Sequence, residues 1–194
     1  MNWLGNLIQK HVSDCDTVLD LGCGIMQATT DNLEKMLGTN IKQRFVKKLS
    51  KSDNLRCKSI LGCDLWEEYL KIANIHWPVI KLGMNELDKF IDESFDVILC
   101  IDVLEHLELQ DALKSIEHMK RISRKKVIIY TPSQYITNEE HVENAWGLGE
   151  NPYQRHRCFL EPTVLENMGF KILFPEPDKN TLGIFDKPEW NEHS

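Results

Sequence analysis

The run Phe95-Asp-Val-Ile-Leu-Cys-Ile101 constrains the fold more than any other stretch, because its apolar residues are consecutive rather than alternate. A strand with one wet face alternates. A continuously apolar strand is covered on both faces, the condition of a parallel sheet flanked by helices. Shorter runs recur at Thr17–Leu21, Ser59–Gly62, Pro78–Lys81 and Lys126–Tyr130. The stretches between them have helical character. Gln27–Leu37 places Leu33, Met36 and Leu37 on one side with Gly38 as a stop, while Leu65–Ala73 and Leu109–Ile122 follow later strands. Ile41, Phe45 and Leu49 recur every four residues, so the first crossover holds a second, amphipathic helix.

Toward the C-terminus, Glu161–Met168 reads as a short helix, with Pro162 near its start and Gly169 just past its end. Phe170–Phe174 and Thr181–Phe185 are two further strands joined by a Pro/Asp/Asn-rich connection without a helix. A direct connection of that kind permits only antiparallel pairing. The expected fold class is α/β: a Rossmann-like, doubly wound, mostly parallel seven-stranded sheet with a reversed C-terminal hairpin. Ligands of such sheets bind beyond the carboxyl ends of the strands.

The chain has 194 residues, 42% hydrophobic and 27% charged, which suits one globular domain. That domain is expected over 1–187, with a basic helical insertion at about 40–58, a substrate-lid loop at about 133–158 and a tail at 188–194. No apolar run approaches the ~20 residues of a membrane span. No basic region precedes the apolar residues of the N-terminus, so a cytoplasmic protein is expected. The six cysteines show no C-x-x-C pair and no zinc spacing, and read as reduced thiols of the core. A net charge of −7 argues against a whole-surface affinity for nucleic acid. The basic stretch Lys42–Lys58 is a solvated helix face by default and a phosphate track by alternative.

The first strand runs into Val18-Leu-Asp-Leu-Gly-Cys-Gly24, an acid followed by two turn glycines. Glycine allows positive φ and a close approach of backbone to ligand, and the next helix N-terminus offers N–H groups to a carboxylate. A dinucleotide fingerprint requires glycine where this chain has Gln27, so an amino-acid tail suits the turn better than a pyrophosphate. The second strand ends in Gly62-Cys-Asp64, an acid where a ribose would lie. The third ends in Gly83-Met-Asn85 and the fourth in Asp102-Val-Leu-Glu-His106.

In V-L-D-L-G-C-G, G-C-D, S-F-D-V-I-L-C-I-D-V-L-E-H-L (Ser94–Leu107) and V-I-I-Y-T-P-S (Val127–Ser133), the chain resembles the class I S-adenosylmethionine-dependent methyltransferase superfamily. The likeness is to the small stand-alone domains of the ubiquinone-biosynthesis and sugar-modifying type, and it spans roughly 1–185. It implies S-adenosyl-L-methionine as cofactor. Asp20, Gly22, Cys23 and Gly24 would hold its methionine part, and Asp64 its ribose, with Leu65 beside the adenine. Asn85 and the backbone of Ile101 would lie near the adenine, and Asp102 would line the methyl-donor site. Two departures stand out: Met84, which would pack on the adenine ring, replaces an acid common in relatives, and Met26 a third turn glycine. The interval from Gly24 to Asp64 is also unusually long.

Transfer to a hydroxyl requires its proton to be removed. His106 and His156 are the catalytic candidates. The first follows the donor-site strand; the second lies in Asn151-Pro-Tyr-Gln-Arg-His-Arg157, within a long connection that also holds Tyr135, His141, Trp146 and Tyr153. The alternative role for His106 is packing or capping the next helix, and for His156 a surface hydrogen bond. Some relatives hold a divalent cation on an acid-x-x-Glu-His cluster plus a distant histidine, a set that Asp102, Glu105, His106 and His156 imitate. Asp102 is shorter than the usual glutamate and V-L-E-H-L also occurs in metal-free relatives, so no metal is assigned. Asn151-Pro152-Tyr153 is a decoy for the signature of amino-directed DNA methyltransferases, which follows the fourth strand.

The leading expectation is O-methylation of a small polar acceptor such as a sugar or metabolite. The alternatives are an RNA methyltransferase using Lys42–Lys58, with metal-assisted transfer to a 2′-hydroxyl as one form of it, and a cofactor-binding, non-catalytic partner subunit. No membrane partner is expected, and oligomeric state is left open.

Overall fold

The computed structural model describes residues 3–14, 16–26, 57–75, 77–136, 150–175 and 179–188. The helices expected at Gln27–Leu37 and around Ile41–Leu49, most of the basic stretch, His141, Trp146 and most of the tail lie outside the described residues. A helix α1 (Trp3–Gln9) precedes β1 (Thr17–Leu21). Next come β2 (Ser59–Asp64), α2 (Glu67–Ala73), β3 (Val79–Lys81) and β4 (Phe95–Ile101). The chain continues through α3 (Leu109–Ile122), β5 (Ser123–Thr131), α4 (Pro162–Asn167), β6 (Lys171–Leu173) and β7 (Thr181–Asp186). Short 3₁₀ turns at Met84–Lys89 and Leu104–His106 follow β3 and β4.

The seven strands form one sheet in the order β3-β2-β1-β4-β5-β7-β6. The first five are parallel, and β7 runs antiparallel to both β5 and β6. The fold class is the one expected: α/β, mostly parallel, with a reversed C-terminal hairpin. Its edge strand is β6, while the last strand in sequence fills the slot beside β5. The crossover from β5 through α4 skips one place, and β7 returns into it.

Val97, Ile98, Leu99 and Cys100 are wholly buried, as two-sided coverage of β4 requires. One face packs Leu19, Leu21, Ile98 and Cys100 against Ala112, Ile116, Met119 and Ile122 of α3. The other packs Val18, Val97, Leu99 and Ile128 against Ile8 and Val12 from the N-terminal segment. Cys23, Cys63, Cys100 and Cys158 are buried free thiols, and Cys57 is half-buried. No helix among the described residues is long and apolar enough to cross a membrane.

An ionic cluster ties the amino ends of the strands together. Asp96 accepts hydrogen bonds from the Thr17 N–H at 2.8 Å, the Thr17 hydroxyl at 2.9 Å and Arg124 Nε at 3.0 Å. Arg124 also donates to Thr17 Oγ1, and Lys125 pairs with Asp16 at 2.7 Å. Burial works against the charge on Asp96, but the Arg124 and Thr17 donors hold its carboxyl well below the usual carboxylate range. The opposite ends of the strands are left to loops, and the cavity lies there.

Candidate functional site

Beyond Leu21 the backbone turns through left-handed conformations at Gly22 (φ 64°) and Gly24 (φ 53°). Gly22 is also cramped: a Cβ built there would lie 2.3 Å from Val103 Cγ2. Met26 is left-handed too (φ 66°), a conformation that glycine adopts more readily than methionine. Its side chain is wholly buried, with Sδ packed over Gly62. That burial, worth ~1.5–3 kcal/mol, offsets a left-handed penalty of ~1–2 kcal/mol.

Asp64 joins β2 to this turn. Its Oδ2 accepts the Gly24 N–H at 2.9 Å and its Oδ1 the Trp66 N–H at 2.8 Å. Burial raises its carboxyl pKa, while N–H donors from Trp66, Gly24 and Leu65 work in the opposite direction. The long sequence interval does not separate Asp64 from the turn, because Leu21 is registered against Cys63 in the sheet. A carboxylate has about four lone-pair sites, so both oxygens retain acceptor capacity for the two hydroxyls of a ribose.

Asp64 stands on the wall of a cavity of about 530 Å³, within the ~300–1,000 Å³ of small-molecule sites. Gly22, Cys23 and Gly24 form one wall, and Leu65, Leu82 and Met84 supply an apolar surface for a planar ring. Ile101 and Asp102 close the end that the resemblance assigns to the methyl donor. Two sequence candidates lie off the wall. Asp20 is buried beneath the turn at 2% exposure, and Asn85 is exposed with its Oδ1 folded over Gly83. The arrangement fits an amino-acid-bearing nucleoside.

At the donor end Asp102 is left-handed (φ 52°), with its N–H donating to the Tyr130 carbonyl at 2.8 Å. The 3₁₀ turn after it carries Glu105 and His106. Glu105 is 4% exposed and accepts the Thr131 hydroxyl at 3.2 Å. Burial, then the charge of Asp102, pushes its carboxyl up to about 8. Burial, then the charge of His156, lowers the His106 imidazole to about 4. The two imidazoles meet with ring centroids 5.0 Å apart. His106 Nδ1 faces the Arg155 carbonyl at 3.4 Å and His156 Nδ1 faces that of Ile136 at 2.8 Å. A carbonyl only accepts, so Nδ1 is the donor in each of these contacts.

One nitrogen from each histidine and one Glu105 oxygen lie within 4.8 Å of one another. Two imidazoles and a carboxylate form a donor set that fits a divalent transition cation. Asp102, the fourth residue of the imitated set, is not in that group.

The segment 150–157 completes the walls. The Arg157 and Cys158 N–H groups donate to the Glu105 carbonyl at 2.7 and 3.2 Å. Asn151, 1% exposed, accepts the Tyr153 N–H on its Oδ1 at 2.9 Å. Asn151-Pro152-Tyr153, expected within the lid loop and set aside as a decoy for a DNA-methyltransferase signature, brings Asn151 and Tyr153 to the cavity lining. Sequence reasoning missed Leu4 and Tyr69, which line the cavity from α1 and α2. An Asn-Pro turn carrying an aromatic inside a long loop was the available signal.

The methyltransferase domain family matches residues 19–131, from the glycine turn through Asp64 and the donor end to Thr131. No curated protein sequence matches the chain. Among solved structures, a protein from Pyrococcus horikoshii is 17% identical with a TM-score of 0.61, covering 95% of this chain and 87% of that one. A SAM-dependent methyltransferase from Aquifex aeolicus is 18% identical with a TM-score of 0.55, at 94% and 88% coverage. The magnesium protoporphyrin IX methyltransferase of Synechocystis, solved with bound SAM, is 14% identical with a TM-score of 0.51, at 94% and 74% coverage. At these identities the structural likeness carries the fold alone. The family match spans more than half of the chain: this protein belongs to the methyltransferase domain family and is an S-adenosylmethionine-dependent enzyme.

Proposed function

We propose that this methyltransferase, as one domain over 1–187 acting in the cytoplasm, methylates an oxygen of a small polar acceptor such as a sugar or other metabolite. The observation that carries this reading is the His106–His156 pair at the donor end of the cavity, beside Asp102. S-adenosylmethionine supplies a methyl group already activated on a sulfonium. The chain's residues have to hold, align and deprotonate. The glycines of the Gly22–Gly24 turn let its backbone approach the amino-acid tail closely, with Asp20 buried beneath the turn. Asp64 accepts the ribose hydroxyls, and Leu65 and Met84 cover the adenine, with the backbone of Ile101 and the nearby Asn85 at its edge. Asp102 borders the donor. His106 is unprotonated at neutral pH and takes the acceptor's proton, with His156 beside it; general-base assistance of this kind contributes ~10²–10⁴-fold.

Removing the Asp64 carboxylate (Asp64→Ala) takes away charge-assisted hydrogen bonds worth ~1.5–3 kcal/mol, so calorimetry with S-adenosylhomocysteine is expected to show affinity lower by ~10–100-fold. Unchanged affinity would remove Asp64 from the ribose site. His106→Asn is expected to lower kcat by ~10²–10⁴-fold at unchanged cofactor affinity. Incubation with methyl-labelled cofactor and fractionated extract tests the acceptor class. Label in small hydroxylated compounds supports the reading. Label in RNA with a steep salt dependence favours the Lys42–Lys58 track, and cofactor binding without transfer to any fraction favours a non-catalytic subunit.

A second reading is favoured by the Glu105–His106–His156 donor set. In it these residues hold a divalent cation that acidifies the acceptor hydroxyl. Metal analysis after chelator treatment and reconstitution decides between the readings: retention in the parent and loss in His156→Ala supports the cation.

A further inference from the structure

Among the described residues that line the cavity, arginine occurs once and lysine not at all. That arginine, Arg157, directly follows His156, and its backbone N–H donates to the Glu105 carbonyl at 2.7 Å. Its α-carbon is thereby fixed beside the turn that carries His106. The guanidinium is held more loosely. Nη1 meets Glu108 Oε1 at 3.2 Å, and the two side chains are 46% and 65% exposed. A single contact between exposed charges contributes little to stability, so it is readily exchanged for another. A guanidinium is a planar fork of N–H donors shaped for two oxygens at once, and Glu108 engages it through one nitrogen. The acids of the wall are engaged elsewhere. Asp64 accepts the Gly24 and Trp66 N–H groups, and Glu105 accepts the Thr131 hydroxyl. Asp102 borders the donor, whose sulfonium is positive.

We infer that Arg157 selects the acceptor: the hydroxyl compound methylated here also carries a carboxylate or phosphate, which takes the guanidinium in place of Glu108 while the hydroxyl lies at His106. This deepens the reading proposed above and rests on it, since His106 has to be the base. A bidentate pair with an oxyanion is stronger and more directional than the exposed contact it replaces. It anchors the acceptor through a group that does not react. In the transfer the methyl carbon leaves sulfur for the hydroxyl oxygen. The electrons of the broken C–S bond stay on sulfur as a neutral thioether, and the hydroxyl proton passes to His106. The anionic group is unchanged and survives into the product.

Small compounds labelled by the enzyme in extract, with methyl-labelled cofactor, are separated on an anion exchanger at neutral pH. Label is expected in the retained fraction. Arg157→Ala is expected to lower that labelling at least about tenfold, equivalent to 1.4 kcal/mol, at unchanged affinity for S-adenosylhomocysteine, and Arg157→Lys to recover only part of it. Glu108→Gln releases the guanidinium and is expected to leave labelling at or above the parent's. Phosphatase treatment that moves the label into the flow-through identifies a phosphate, and label that stays retained a carboxylate. Label in uncharged compounds overturns the inference and leaves the hydroxyl reading standing. So does labelling by Arg157→Ala within about twofold of the parent, or an equal loss in Glu108→Gln, which would mean that the ion pair serves only the fold. If His106→Asn, run alongside, transfers methyl as fast as the parent, or if no small compound is labelled by protein that binds the cofactor, the reading of the base fails first and takes the role of Arg157 with it.

Discussion

Gly22→Ala is expected to be the most damaging small substitution in the protein. Two independent costs fall on one methyl group. The backbone at Gly22 is left-handed, which costs a residue with a Cβ ~1–2 kcal/mol. The added carbon also lies 2.3 Å from Val103 Cγ2 and 2.9 Å from Cγ1, well inside contact; overpacking of this sort costs ~1–3 kcal/mol. Together they are expected to lower the unfolding free energy by about 2–5 kcal/mol, seen as a shift of the denaturant midpoint at unchanged slope. Affinity for S-adenosylhomocysteine is expected to fall at least about tenfold, because relief of the clash moves the turn or the donor-end backbone. The two costs are separable. Val103→Ala in the Gly22→Ala background removes both offending methyl groups and is expected to recover only the steric part. Full recovery would show that the left-handed turn carries no strain, and no recovery would show that Val103 is not the obstacle.

The second large effect is a pH dependence of stability that one residue creates. Glu105 ionises near 4.5 in an unfolded chain and near 8 in the folded one. Between these values the folded protein holds a proton that the unfolded chain has lost. Its contribution is therefore complete below about 4.5 and disappears as pH rises toward 8. His106 works in the opposite sense. Its folded value is near 4 against 6.5, so its contribution is complete above 6.5 and is lost as pH falls toward 4. The two slopes oppose each other at acid pH. From 6.5 to 8 only that of Glu105 remains, and stability is expected to decline there by up to ~1.4 kcal/mol per pH unit. Glu105→Gln keeps the shape and the neighbour of Thr131 without the ionisation, and is expected to flatten this decline. Urea midpoints of both proteins across the window, with a chelator present, check it. Parallel profiles would mean that Glu105 is already ionised at pH 6.5.

Much of the sheet was legible because burial on two faces leaves an unbroken apolar run, and Phe95–Ile101 and Leu109–Ile122 coincide with β4 and α3. The start of β5 was hidden. Arg124 and Lys125 read as loop, yet they are strand residues whose charge belongs to the cluster around Asp96 and Asp16. The antiparallel sense of the C-terminal strands followed from their short connection, but connection length says nothing about which neighbour each takes. In the site, strand order brought the glycine turn, Asp64, Met84, Asp102 and His106 to one wall. Asp20 and Asn85 carry the right chemistry at positions where the backbone turns them off it. Tyr69 escaped notice because it reaches the cavity only through the tertiary fold, which no periodicity records.

The position of β7 also governs how this molecule comes to exist. As the chain emerges during synthesis, β5 and β6 are both made before the strand that lies between them, and neither can pair with the other across the vacant place. Until Thr181–Asp186 arrives, one edge of β5 is unpaired and β6 lacks the strand it hydrogen-bonds to. The hydrogen bonding of the sheet is therefore completed only when its last strand is made, so its assembly waits on Thr181–Asp186.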